Sequence, residues 1–386
     1  MFCEKNKCTG CFACYNICPK NAIQMIEDDN GFIYPKIDSE KCIKCGLCRK
    51  ICPAINEVEL KEPLQCFAMQ AKNSEILGNS TSGGAAAVFS RFIIKNGGIV
   101  YGATFEQNFK IQHVRIDSLD QLEKIKGSKY VHCYINNTYS MIKKDLQSDK
   151  KVLFTGTPCQ VAGLKKYLMK EFENLYCIDI ICHGVPSQMY LKEELSKYLD
   201  IDDITSLKFR SEDEFKIIAM HDGKKVLEKD KTESMYYDGF MDGFFYRENC
   251  YSCKYANSKR ISDITIGDFW GIGKDSKFYK NKNKGLSVLL PITTKGLYLI
   301  EKCKNEMELE ERNIEEAVLG NSQLQKPTKM DKNYYKFKKK VAKSSFKKAY
   351  RKYKGLAFLK KNLKQKLKNN KLIYKIYSSI KRCSKK

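Results

Sequence analysis

No apolar run in the 386 residues approaches the roughly 18 that a membrane span requires, and the opening MFCEKNKCTG lacks the apolar stretch of a signal peptide. The chain is therefore expected to be made and kept in the cytoplasm. Proline is scarce, at 8 residues, while 42% of the chain is hydrophobic; disorder throughout is excluded, and two or three domains can be built. Acidic residues are nearly missing from one region only. From Lys326 to Lys386 there are 24 Lys plus Arg against a single acid, Asp331, leaving 46 of the 70 bases and 44 of the 45 acids to the preceding 325 residues. The net charge of +25 thus belongs to the tail, and the near-neutral body offers no general nucleic-acid surface.

Cysteine is what the sequence has in excess. Its 18 cysteines are about 5% of the chain, below the roughly 8–10% of a secreted disulfide scaffold, and half of them lie in the first 52 residues. In a reducing compartment such clustering points to metal. CTGCFACYNICP at 8–19 and CIKCGLCRKICP at 42–53 are copies of one unit, Cys-x2-Cys-x2-Cys-x3-Cys-Pro, the spacing of bacterial two-cluster ferredoxins. Three thiolates on one tight loop reach three irons of a cubane, and the fourth ligates the other cluster. This spacing assigns one 4Fe-4S cluster to Cys8, Cys11, Cys14 and Cys52, and a second to Cys42, Cys45, Cys48 and Cys18. Pro19 and Pro53 turn the chain away after each crossing ligand, and Gly10 and Gly46 let backbone N–H groups approach the sulfides. A zinc ribbon would pair its ligands two by two, and neither repeat contains histidine. Cys3 falls outside the spacing and is expected only to pack.

After a charged linker, NEVELKEP, strands alternate with helices, which predicts an α/β body with a mixed sheet. Expected strands are QCFAMQA, GIVYGATF, KKVLFTGT, NLYCIDIIC and ITSLKFR; GGAAAVFSRFIIKNG, NNTYSMIKKDLQS, QVAGLKKYLMK and SQMYLKEELSKYL have helical periodicity. Asp222-Gly223 predicts a hairpin within 215–230, and 286–311 reads as a last strand and helix. The division is then a small α+β ferredoxin unit at 1–56, the body at 64–320 and a Lys-rich amphipathic helical tail at 326–386.

Within the body, Cys159 in GTPCQVAG opens a helix after a strand, where the helix dipole favours a thiolate, and Cys182 ends the next apolar strand. With Cys250 and Cys253 of CYSCK they supply four thiolates, enough for a third 4Fe-4S cluster, although a buried free cysteine that simply packs would read the same. Cys66, Cys133, Cys177, Cys303 and Cys383 are expected to pack. Ser82, Gly83 and Gly84 at a helix mouth could hold a phosphate or form an ordinary N-cap; they do not make a G-x-G-x-x-G fingerprint. GSKYV at 127–131 offers a hydroxyl, a cation and a ring suited to a flavin, or a solvated loop. Asp268-Phe269 in DITIGDFWG lacks the companion motifs of a kinase.

GTPCQVAGLKKYL, IDIICHGVPS, CYSCKYA and DITIGDFWG, in this order behind a two-cluster ferredoxin segment, resemble the beta subunit of coenzyme F420 hydrogenases and dehydrogenases and its bacterial homologues, over roughly residues 1 to 320. The resemblance implies a body that binds FAD and a 4Fe-4S cluster and passes electrons between iron–sulfur centres and a deazaflavin or other two-electron acceptor. It makes Cys159, Cys182, Cys250 and Cys253 cluster ligands, and Ser82, Gly83, Gly84, Ser128, Lys129, Tyr130, Gly156 and Thr157 flavin contacts. Bacterial members of this kind look like accessory reductases of polysaccharide assembly. The expected function is an iron–sulfur flavoprotein oxidoreductase working with a redox partner protein. Its competitors are an electron-carrier or scaffold subunit, and an iron–sulfur protein that binds nucleic acid through its tail.

In the tail, Leu356, Leu359, Leu363 and Leu367, then Ile373, Ile376 and Ile380, recur every three or four residues among lysines. That pattern predicts an interfacial helix on an anionic membrane, peripheral on its inner face. A helix packed on the body is the alternative, and Tyr334, Tyr335, Tyr350 and Tyr353 could instead stack on nucleic-acid bases.

Overall fold

The computed structural model describes residues 3–107, 109–211 and 214–369. Between the two cysteine repeats, β1 (Ile23–Glu27) and β2 (Ile33–Ile37) form an antiparallel hairpin, and each repeat carries a short helix, Ala13–Ile17 or Leu47–Lys50. The body opens with β3 (Phe67–Ala71), β4 (Ile99–Glu106), β5 (Lys110–Ile116), β6 (Val152–Gly156) and β7 (Leu175–Ile180). A separate antiparallel sheet follows, made of β8 (Ser206–Ser211), β9 (Glu214–His221) and β10 (Lys224–Asp230); Asp222 and Gly223, both with positive φ, form its expected turn. β11 (Ile264–Asp268), β12 (Ser287–Pro291) and β13 (Met307–Glu311) complete the large sheet, whose order is β13-β3-β12-β11-β7-β6-β4-β5.

The centre of that sheet is parallel, with β7 between β6 and β11 and β4 beyond β6; the flanking pairs are antiparallel. Val152, Leu153 and Phe154 on β6 are fully buried, as in a parallel strand covered on both faces. Two departures from expectation stand out: ITSLKFR belongs to the small sheet rather than the main one, and MELEE at 307–311 is a strand, not helix.

Neither terminal segment stands apart from the body. Cys11, Phe12, Ala13, Ile33 and Ile51 share one hydrophobic cluster with Tyr139, Val161 and Leu164. At the other end, helices Tyr334–Lys343 and Phe346–Asn369 dock through Phe337, Phe346 and Tyr350, all fully buried, against Tyr190, Phe244 and Phe245. Phe346 stacks on Tyr190 at 5.2 Å, and the Glu193 carboxylate accepts from the N–H groups of Phe346 and Lys347, capping the long helix. Each such aromatic is worth roughly 1.5–3 kcal/mol of burial, so the tail through Phe358 is core material rather than an appendage.

The docked face is not the leucine stripe. Leu356, Leu359 and Leu363 are exposed by 78%, 57% and 60%, while Phe358 faces inward and Lys361 pairs with Asp238 and Asp242. Tyr334 and Tyr350 are buried and cannot stack on bases; Tyr335 is exposed and donates to Glu248, and Tyr353 packs partly buried against the core. Ile373, Ile376, Ile380 and Cys383 lie outside the described residues. No described helix is long and apolar enough to cross a membrane.

Candidate functional site

The cysteine repeats fold as two loops of matching backbone. In each, the second residue after the first cysteine and the fourth are left-handed: Gly10 and Phe12 in the first, Lys44 and Gly46 in the second. Each repeat therefore gives glycine to only one of its two strained positions. In the first loop the choice is forced, because a Cβ on Gly10 would lie 2.8 Å from His132 Cε1 and 3.2 Å from Arg247 Cζ. Around Gly46 nothing lies within 4 Å.

The thiols sort across the repeats. Burial raises Cys14, and Cys11, Cys8 and Cys52 add to the rise; burial likewise raises Cys48, with Cys18 and Cys45 adding. Cys52 from the second repeat thus stands with the first loop, and Cys18 from the first stands with the second. Cys8, Cys11, Cys14 and Cys52 are buried, whereas Cys18, Cys42 and Cys48 are half-buried and Cys45 is exposed. Cys3 does more than pack: its hydrogen bonds with Cys52 and Cys8 push its own thiol up, and they pull Cys8 down to about 6. The spacing gave no sign of this contact.

Body residues close over the first loop. Arg247 donates from Nε to the Cys8 carbonyl at 2.7 Å and from Nη2 to the Ile33 carbonyl at 2.8 Å, and Lys254 Nζ reaches the Pro53 carbonyl at 2.6 Å. Gly163, on the helix Pro158–Leu168, sits where a Cβ would meet Cys11 Sγ at 3.1 Å. Tyr255 is raised by burial first, then by Cys159 and Cys11, and so lies between the first loop and the body cysteines.

Those body cysteines form one group. β6 ends at Gly156; Thr157 caps the next helix in a reciprocal pair with Gln160, and Pro158 at the first helical position fixes Cys159 on the opening turn. Cys182 follows β7, the parallel neighbour of β6, and Cys250 and Cys253 lie on or just after the turn Glu248–Ser252. Burial pushes Cys182 up to about 12 and raises Cys159, Cys250 and Cys253, and neighbouring thiols of the group add to the rise of Cys159, Cys182 and Cys250. Arg260, fully buried beside them, is neutralised by Asp179 at 3.0 Å. No three His, Cys, Asp or Glu side chains among the described residues converge on a single ion. A cubane is held differently, by four thiolates at separate corners.

At the carboxyl ends of β6, β7 and β11 opens a cavity of about 270 Å3, where open α/β sheets bind ligands. Ser82, Gly84, Ser128, Lys129, Tyr130, Gly156 and Thr157 line it; Gly83 does not, being pressed to the sheet where a Cβ would meet the Met69 carbonyl at 2.1 Å. Cys182 lines it as well. Burial lowers the Lys129 ammonium to about 8, and Tyr130 stacks on Phe240 at 4.8 Å. Arg210 reaches from β8 to grip Asp268 through both carboxylate oxygens, at 3.0 and 2.8 Å, with Trp270 half exposed beside it. Asp268 is thus an ion-pair partner in the cavity wall. Cys66, Cys177 and Cys303 pack in the interior. Cys133, also expected only to pack, lines the cavity with its thiol 3.3 Å from His113 Nδ1, and burial keeps His113 neutral down to about 4.

Residues 149–317 match the family described as the C terminus of the coenzyme F420 hydrogenase/dehydrogenase beta subunit, and residues 7–55 match a 4Fe-4S dicluster domain. Coenzyme F420-dependent sulfite reductase of Methanocaldococcus jannaschii is 25% identical over 333 residues, covering 81% of this chain and 48% of that protein, so the chain spans about half its length. An uncharacterized ferredoxin of the same organism is 40% identical over 50 residues, 13% of this chain and 64% of its own. A chain of the F420-reducing NiFe hydrogenase complex of Methanosarcina barkeri is similar at 17% identity and a TM-score of 0.47, over 77% of this chain and 94% of that one, too distant a likeness to argue from. The two matches fall in chain order, a 4Fe-4S dicluster domain ahead of a domain similar to the C terminus of the coenzyme F420 hydrogenase/dehydrogenase beta subunit.

Proposed function

We propose that the chain is an iron–sulfur flavoprotein oxidoreductase. In this reading Cys8, Cys11, Cys14 and Cys52 hold one 4Fe-4S cluster, Cys42, Cys45, Cys48 and Cys18 a second, and Cys159, Cys182, Cys250 and Cys253 a third, with FAD in the cavity. Cys182 carries the reading, because it belongs both to the body thiol group and to the cavity wall. The thiol chemistry fits: Cys159 and Cys250, half-buried and raised above the ordinary range by desolvation, keep their protons until a metal displaces them. A bound flavin would supply the exchange between single electrons and electron pairs. Ser82, Ser128 and Thr157 supply hydroxyls and N–H groups for its phosphates, Lys129 a cation, and Tyr130 with Phe240 a rigid aromatic wall. The half-exposed second thiol group is where a redox partner would exchange electrons. F420 in the relatives' names makes a deazaflavin the first two-electron acceptor to test.

Anaerobic purification with iron, sulfide and flavin counts tests this directly. Three cubanes and one flavin are expected, and Cys182→Ser should remove roughly four irons and alter the flavin spectrum together. A flavin-free protein retaining all its iron would favour a pure electron carrier.

A second reading concerns location. The docked helix Phe346–Asn369 keeps Leu356, Leu359 and Leu363 outside among lysines, and this favours an anionic membrane surface. Cutting at residue 325 would strip Phe337, Phe346 and Tyr350 from the core, so the test is Leu356→Gln, Leu359→Gln and Leu363→Gln together. Flotation of the intact protein with anionic vesicles, lost in the triple variant, is expected. Equal flotation of both removes the membrane.

A further inference from the structure

Two arginines are buried among the thiol groups, and only one has a counter-charge. Arg260 pairs with Asp179. Arg247, fully buried, has no carboxylate within ion-pair distance among the described residues; two of its nitrogens are spent on the Cys8 and Ile33 carbonyls, and Nη1 has no hydrogen-bond partner. Its Cζ lies 4.2 Å from the Tyr34 ring centroid, which shields one face from any anion. Nη1 would stand 3.2 Å from a Cβ on Gly10, inside the loop that carries Cys8 and Cys11. An unpaired buried guanidinium is expensive unless something anionic is missing from the picture. A thiolate-bound cubane is such an anion, and it gains one further negative charge on reduction.

We propose that Arg247 is the positioning residue that sets the potential of the first cluster, stabilising its reduced form and holding its potential above that of the second. The second loop has no equivalent: nothing lies within 4 Å of a Cβ on Gly46, and its thiols are half-buried or, at Cys45, exposed. The first cluster would then hold an electron between the second cluster and the body thiol group, which Arg247 also meets where its carbonyl accepts from the Cys250 N–H at 2.9 Å. This rests on the cluster reading above, since it assigns a role toward that bound group.

The test is a reductive titration of the anaerobic holoprotein followed by electron paramagnetic resonance, with iron and sulfide counted on each sample. In the wild type, the two amino-terminal clusters should titrate as separate waves. Arg247→Met should shift the higher wave downward toward the lower one, and Arg247→Lys, which keeps the charge but loses the fork, should shift it less. Two coincident waves in the wild type overturn the proposal even if neither variant folds, as does an unchanged higher wave in a fully loaded Arg247→Met protein. Absence of cubane signals from iron-replete wild type would instead fail the cluster reading itself.

Discussion

The two cysteine loops have the same spacing and the same pair of left-handed residues, yet one is roofed by the body and the other faces solvent. Around the first loop stand His132, Arg247, Lys254 and Gly163; around Gly46 of the second there is open space. The ligand pattern is thus local, whereas the surroundings that would tune each cluster are tertiary. One motif can serve as an inner relay or an outer terminal depending on what folds over it.

Removing ligands should separate the loops most sharply. Cys11→Ala should cost one cubane, roughly four irons, and also loosen the contact with Gly163, whereas Cys45→Ala should cost a cubane and leave thermal unfolding of the body nearly unchanged. Cys18→Ala should behave like Cys45→Ala despite belonging to the first repeat, since it stands with Cys45 and Cys48. Iron counts with calorimetry decide; equal destabilisation by Cys11→Ala and Cys45→Ala would break the comparison.

Glycine replacement should give the next largest difference. Gly46→Ala carries only left-handed strain, roughly 1–2 kcal/mol, while Gly10→Ala adds crowding against His132 and Arg247 of about 1–3 kcal/mol more. Denaturant midpoints of the two variants would measure it.

The smallest effect is the part of the pH dependence that arises on the roofed side. Burial lowers His132 from 6.5 to about 3, so the folded protein keeps it neutral while the unfolded chain takes a proton near 6.5. Stability is then full above about 6.5 and falls as pH drops toward 3, by at most roughly 1.4 kcal/mol per unit. Comparing stability at about pH 7.5 and about pH 5.5, His132→Gln should flatten the slope; an unchanged slope would show that other groups cause it.

The sequence made the buried centre of the molecule legible and its margins much less so. β4, β6 and β7 are apolar runs, and the eight cysteines of the two repeats carry their own spacing, whereas the four of the body stand out only through the family resemblance. β5, β11 and β13 were not among the expected strands; β5 and β13 are the two edges of the sheet, where KIQHVRI and MELEE bear the charges that discourage edge pairing and blur the strand pattern, while β11, inside the sheet, is a five-residue run broken by Gly267. The tail misled differently. Its leucines repeat conspicuously, but the helix docks by Phe346, Tyr350 and Phe358, whose spacing is hidden among lysines. Arg247, His132 and Cys3 carry no local signal at all, because their significance comes from residues more than a hundred positions away or from the crossing of the repeats.

The helix Pro158–Leu168 touches both the body thiol group and the first loop, through Cys159 and Gly163. Those two positions are four residues apart, a rise of about 6 Å along an α-helix. Electron tunnelling weakens exponentially with distance, and a rigid helix that carries one thiol and packs directly on another narrows the range over which that gap can vary. The coupling between them would then be insensitive to thermal breathing of the loops, yet acutely sensitive to the size of one side chain. A methyl or isopropyl group at position 163 would act as a shim, lengthening the jump by pressing on Cys11 while every ligand stays in the sequence.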